Sequence, residues 1–244
     1  MMSEEVKASA VQDMTAVLSS ITADKNWLMK VSIGSTVSYI ALAIFLLNPM
    51  FAPVSVVMGG ITAGYLLRVM RQTINVVASR DETDGPLPEW NQILDLMISG
   101  VSWLSFSLFF SFGGVILAFS LFTQGLQSRH SLVIDPHFTS WGTNTYLAIY
   151  SYYVLTSFFT ALLMANFAEE EKMMAGFAWL KVIKRIAKAP VLMVTTWLAS
   201  ATLVFLAATV PSLTVIGIIF APFLTFLAQV IQARMLGFAW RAAG

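Results

Sequence analysis

The chain has 244 residues, 57% of them hydrophobic and 11% charged, with a net charge of +1 and a mean hydropathy of +0.76. A soluble domain would carry about 25% charged residues, so lipid is the expected solvent and no stretch is polar enough for a separate soluble domain. The near-neutral charge provides no basis for a nucleic-acid partner, and the lack of cysteine excludes disulfides, thiolate metal sites and cysteine nucleophiles.

Residues 1–26 open with acids and have no continuous apolar core, so they do not read as a signal peptide. Met14, Val17, Leu18 and Ile21 stand at i, i+3, i+4 and i+7. That spacing predicts an amphipathic helix in an N-terminal cytoplasmic segment. Residues 27–244 read as one six-helix transmembrane domain. Six apolar runs each reach the roughly 20 residues that a crossing needs: 27–47, 51–69, 98–122, 146–167, 190–211 and 213–233. The breaks "LNPMFAP" and "VPSL" predict tight turns, because an unbroken helix there would be an apolar rod of about 60 Å. The fold class is therefore all-α: a polytopic membrane protein, its six transmembrane helices forming three hairpins.

Within the second run, Gly60 and Gly64 form a GxxxG step, where small residues let two backbones approach in lipid. They are candidates for helix packing, inside the chain or with a partner. Arg68 and Arg71 follow one turn apart, then Arg80, Asp81, Glu82, Asp84, Glu89 and Trp90. This stretch reads as a cytoplasmic salt-bridged cap, or as a docking surface on which Pro86 and Pro88 present Trp90. Trp90, Ile93, Leu94 and Met97 repeat the amphipathic spacing ahead of the third run. Ser99, Ser102, Ser107 and Ser111 along that run offer hydrogen bonds across a helix contact.

His130, Asp135 and His137 lie in the next loop. They would hold a divalent metal only if the loop folded back, and the plain reading is a loop without metal. Glu169, Glu170 and Glu171 follow the fourth run, without the arginine that a glutamate-based intramembrane protease would need. They are expected to favour the N-terminus of the next helix through its dipole. In that helix Trp179, Val182, Ile183 and Ile186 take one face, and Lys181, Lys184, Arg185 and Lys188 the other. This pattern predicts a helix in the headgroup plane, its basic side toward anionic lipid. Three units, each an amphipathic helix leading into two spans, emerge from the chain.

With the N-terminus inside, 13 of the 14 Lys and Arg residues fall on one side and only Arg129 on the other. The positive-inside rule then places both termini in the cytoplasm. No span carries Asp, Glu, Lys or Arg at its centre; Arg68 and Arg234 fall at span ends, where they are expected to snorkel.

The segments "GGITAGYLLRVMRQTI" and "DGPLPEWNQILDLMISG" resemble the domain-of-unknown-function 4013 family of prokaryotic membrane proteins. The family's glycine-rich span, Gly-Tyr-basic step, acidic linker and Leu-Pro-Glu-aromatic step match Gly64, Tyr65, Arg68, Arg71, Leu87, Pro88, Glu89 and Trp90. The "AGFAWLKVIKRIAKAP" segment fits more loosely. The resemblance implies a multi-span protein of a prokaryotic cell or internal membrane and assigns no activity or catalytic residues. The residues themselves predict no enzyme and no cofactor. They favour a non-enzymatic scaffold or accessory subunit of a membrane complex. Its partners would be the bilayer, other membrane proteins or further copies of the chain. A transporter or channel for a neutral solute or lipid is the alternative. The candidate interaction surface is Arg68, Arg71, Glu89, Trp90, Lys181, Lys184, Arg185 and Lys188.

Overall fold

The computed structural model describes residues 15–75, 86–128 and 138–244, which form helices and short connections with no strand among them. In chain order the helices are α1 (residues 15–22), α2 (Trp27–Leu47), α3 (Ala52–Asn75), α4 (Ile93–Ser128), α5 (Phe138–Glu170), α6 (Trp179–Lys188), α7 (Pro190–Ser212) and α8 (Val215–Ala242). Six segments are long and apolar enough to cross a membrane: Trp27–Leu47, Ala52–Asn75, Ile93–Gly114, Leu147–Glu170, Pro190–Ser212 and Ile216–Ala242. Helix is the form that satisfies every backbone polar group within the segment, which hydrocarbon requires.

Local chemistry sets the breaks. Asn48 ends α2 and its side-chain oxygen accepts from the Met50 N–H at 2.9 Å. Pro190 opens α7, where its missing N–H costs no bond. Thr214 caps α8 by accepting from the Gly217 N–H at 2.9 Å, as an N-cap hydroxyl does.

The chain forms two compact units, one running to Leu104 and resuming at Leu162, the other spanning Ser105–Ala161. In the first, α2 packs on α3, α7 packs on α8, and α8 also lies against both α2 and α3. Glycines set the closest approaches. A methyl at Gly64 would collide with the Leu96 backbone, and one at Gly100 with the Gly60 carbonyl, so α3 and the start of α4 cross backbone to backbone. Gly34 leaves room for the Phe226 ring between α2 and α8. In the second unit, the Tyr152 hydroxyl donates to the Phe110 carbonyl at 2.6 Å, and Gly113 and Gly114 make space for the Tyr152 and Tyr153 rings.

The amphipathic segments differ from one another. In α1, Val17 and Ile21 are buried; Met14 lies outside the described residues. The second predicted segment is not a helix of its own. Residues 90–92 are non-helical, and Ile93, Leu94 and Met97 are the opening turns of α4, which continues unbroken into the apolar run. Nothing in "ILDLMISG" breaks a helix strongly enough to separate the two. The third segment is the distinct helix α6.

Candidate functional site

The polar chemistry of the first unit gathers at helix ends. Lys30, in the first turn of α2, is only 2% exposed. Its ammonium donates to Asp24 Oδ2 at 2.9 Å and to the Leu87 carbonyl at 2.6 Å, and pairs with Glu89 Oε1 at 2.7 Å. Three donors meet three acceptors, the full capacity of a lysine. Asp24 also accepts from the Leu87 N–H at 2.9 Å and the Asn26 N–H at 2.8 Å. Burial works against charge on Asp24, but the Lys30 bond and these N–H donors prevail and hold its carboxyl below the usual carboxylate value.

Trp90 closes the same node. Its ring stacks on Tyr65 at 3.9 Å between centroids and 2° between planes, and its Nε1 donates to the Lys30 carbonyl at 2.8 Å. Phe226 lies beside both rings, and the Tyr65 hydroxyl donates to the Pro88 carbonyl at 3.1 Å. The tryptophan is therefore turned into the fold, not presented outward by Pro86 and Pro88.

Arg68 and Arg71 face the next cleft. Arg68 donates to the Asn91 side-chain oxygen at 2.7 Å, the Asn91 carbonyl at 3.0 Å and Gln92 Oε1 at 3.3 Å. Arg71 donates to the Ala168 carbonyl at 3.1 Å and pairs with Glu171 at 2.8 Å. Between α3, the start of α4 and the end of α5 these residues surround a cavity of about 350 Å³, completed by Asp95, Ser99, Phe167 and apolar side chains. Gln92 (φ 54°) and Glu171 (φ 58°) are its two backbone outliers, each in the left-handed region that costs a non-glycine residue about 1–2 kcal/mol. Of the other span-three serines, Ser102 bonds its own helix at Ile98.

A third cluster joins α5, α6 and α8. Lys181 donates to Glu169 at 3.0 Å and Glu170 at 2.6 Å. Arg185 donates to Glu169 at 2.8 Å and lies 4.4 Å over the Trp240 ring. Trp240 Nε1 reaches Glu169 at 3.2 Å. Burial lowers the Lys181 pKa, yet the bonds to Glu170 and Glu169 outweigh it and raise it above the ordinary lysine value. The glutamates thus do not open the next helix. Glu169 and Glu170 end α5, on the side its dipole disfavours, and the cations of α6 compensate them. Lys181 and Arg185 turn toward the glutamates that end α5, whereas Lys184 is exposed and makes no ion pair among the described residues. Lys188 donates to the Gly244 carbonyl at 2.8 Å.

Two long-range contacts complete the layer. Arg241 donates to the Thr73 carbonyl at 3.1 Å, and Arg234 bonds the Ser20 hydroxyl. Arg234 does not snorkel: it is 1% exposed, because α1 covers it. Among the described residues no group of His, Asp and Glu is placed to hold a metal; His130, Asp135 and His137 lie outside them, as do Lys7, Arg80, Asp81, Glu82, Asp84 and Arg129.

The structure brings the predicted residues into neighbouring groups of different kinds. Gly60 and Gly64 face α4. Glu89 and Trp90 belong to the Lys30 node, Arg68 and Arg71 to the cavity, and Lys181 and Arg185 to the glutamate cluster. The residues that sequence reasoning missed are Asp24, Lys30 and Asp95, each of which looks like an ordinary flanking charge.

Six apolar helices whose first unit is laced together by buried charge at helix ends define a multi-pass helical membrane protein. The family model described as "Protein of unknown function (DUF4013)" matches residues 49–220, and the chain belongs to that family. No curated protein and no solved structure matches it. The Gly-Tyr-basic and Leu-Pro-Glu-aromatic steps of this chain fall within the matched residues and coincide with the node and the cavity: Tyr65 stacks on Trp90, and Glu89 pairs with Lys30.

Proposed function

We propose that this protein is a non-enzymatic scaffold or accessory subunit of a prokaryotic membrane complex, in the cell membrane or an internal one. In this reading the spans form three hairpins, both termini are cytoplasmic, and α1 and α6 lie at the cytoplasmic interface. The observation that carries it is the use made of charge in the first unit. Lys30 and Asp24 bind the 87–89 stretch, Arg71 binds the end of α5, and Lys181 and Arg185 bind Glu169, and these bonds tie helix ends into a fixed layer. A fixed layer suits a platform for partners better than it suits a carrier whose halves rock. The exposed Lys184 and the apolar Leu180 and Ile183 of α6 offer contact to lipid or to a neighbouring subunit.

Transport of a neutral solute or lipid is the second reading, favoured by the placement of Ser99 on the cavity. Native mass spectrometry of the protein, extracted gently from its own membrane, separates the two. Defined companion proteins on top of the 26.8 kDa chain are expected. A chain that leaves the membrane alone or only with copies of itself would overturn the scaffold reading.

A further inference from the structure

The charges around the cavity do not cancel in pairs. Arg71 has Glu171. Arg68 is fixed by neutral acceptors, the Asn91 side chain and carbonyl and the Gln92 amide, and no carboxylate among the described residues is within ion-pair distance of it. Asp95, exposed in the first turn of α4, likewise has no cation within that distance. One guanidinium and one carboxylate therefore line a single cavity without meeting. A cap that served only itself would let them pair.

Two further features belong to the same place. Gln92 and Glu171, the non-glycine residues with left-handed backbone among those described, both line the cavity, and such strain collects where a ligand is gripped. The lining also grades from polar to apolar. Ile98, 55% exposed, is part of it, and Leu94 continues that apolar flank of α4.

We infer that this cavity binds the headgroup of a zwitterionic phospholipid of the phosphatidylethanolamine class from the cytoplasmic leaflet. The phosphate sits on Arg68, the ammonium faces Asp95, and the acyl chains leave along the Ile98 flank of α4. A guanidinium matches phosphate oxygens in charge and in planar geometry. The carboxylate selects for the ammonium, which a glycerol headgroup lacks. The inference rests on the membrane placement proposed above and adds a ligand to it.

The test places the full chain in nanodiscs of equal parts phosphatidylethanolamine and phosphatidylglycerol, then reads the lipids retained per chain by native mass spectrometry after transfer to detergent. One retained phosphatidylethanolamine is expected. Asp95→Asn should reduce that retention about tenfold, the loss of one charge-assisted bond, and leave phosphatidylglycerol unchanged. Asp95 is the decisive position because its carboxylate is exposed and holds no other segment. Arg68→Gln, which also frees residues 91 and 92, is read only beside a matched thermal unfolding curve. Equal retention of both lipids, or phosphatidylethanolamine retention unchanged in Asp95→Asn, would overturn the inference. Recovery of the wild-type chain in the soluble fraction after carbonate washing would instead overturn the membrane placement beneath it.

Discussion

At Lys30 three acceptors from two segments converge on one ammonium: Asp24 ahead of α2, and Leu87 and Glu89 from the linker before α4. Removing one partner of a buried pair leaves the other charge uncompensated, a loss of about 3–5 kcal/mol. Lys30→Met is therefore expected to lose that much in an unfolding titration of the detergent-solubilised protein. The same variant should change the acid limb of stability. The Asp24 carboxyl is held below its ordinary value of 3.8, with Lys30 foremost among the groups that outweigh burial. Its stabilisation is complete above 3.8 and disappears as pH falls through the lower folded value. Without Lys30 the folded value rises toward 3.8 or past it, so this contribution to the acid loss should shrink or vanish, and an unchanged acid limb would sink this account. None of this was legible in the sequence. Lys30 there is one flanking cation among several, and its partners stand up to 59 positions away, a pairing that only the packed helices create.

For the helices, hydropathy located the apolar core of each span and misjudged where hydrogen bonding stops. The first run coincides with α2, but α8 continues to Ala242, beyond the apolar limit near residue 233. Its last turns carry Arg234 and Arg241, and a hydropathy window ends at such residues. Packing against Ser20 and Thr73 keeps those turns inside the protein. The amphipathic spacing at residues 90–97 misled for a related reason: periodicity marks a face but cannot tell a separate helix from the first turns of a longer one. The GxxxG step was legible as a contact, although its partner, the Leu96–Gly100 stretch of α4, was not. Gly64→Ala should cost at least the 1–3 kcal/mol typical of overpacking, since its methyl would strike the Leu96 backbone. Gly59→Ala should cost almost nothing, because the nearest atom, Leu104 Cδ1, lies 3.7 Å from the added carbon. Thermal unfolding of the two variants side by side checks the pair.

For the whole molecule, the proposed orientation rests on the distribution of Lys and Arg, and it is directly testable because the protein has no native cysteine. Single substitutions Lys184→Cys and Leu213→Cys, both at exposed positions, should react oppositely with a membrane-impermeant maleimide applied to intact cells. Leu213→Cys should be labelled and Lys184→Cys protected until the membrane is opened. The reverse pattern would invert the proposed topology. The bond between Ser20 and Arg234 spans 214 positions, and α8 packs against both α2 and α3. Helices α2 and α3 thus leave the ribosome before α8, which packs against both, has been made. Until α8 is made, the faces of α2 and α3 that it covers have nothing of this chain against them. A nascent chain stalled before α8 would therefore carry α2 and α3 with that surface unsealed.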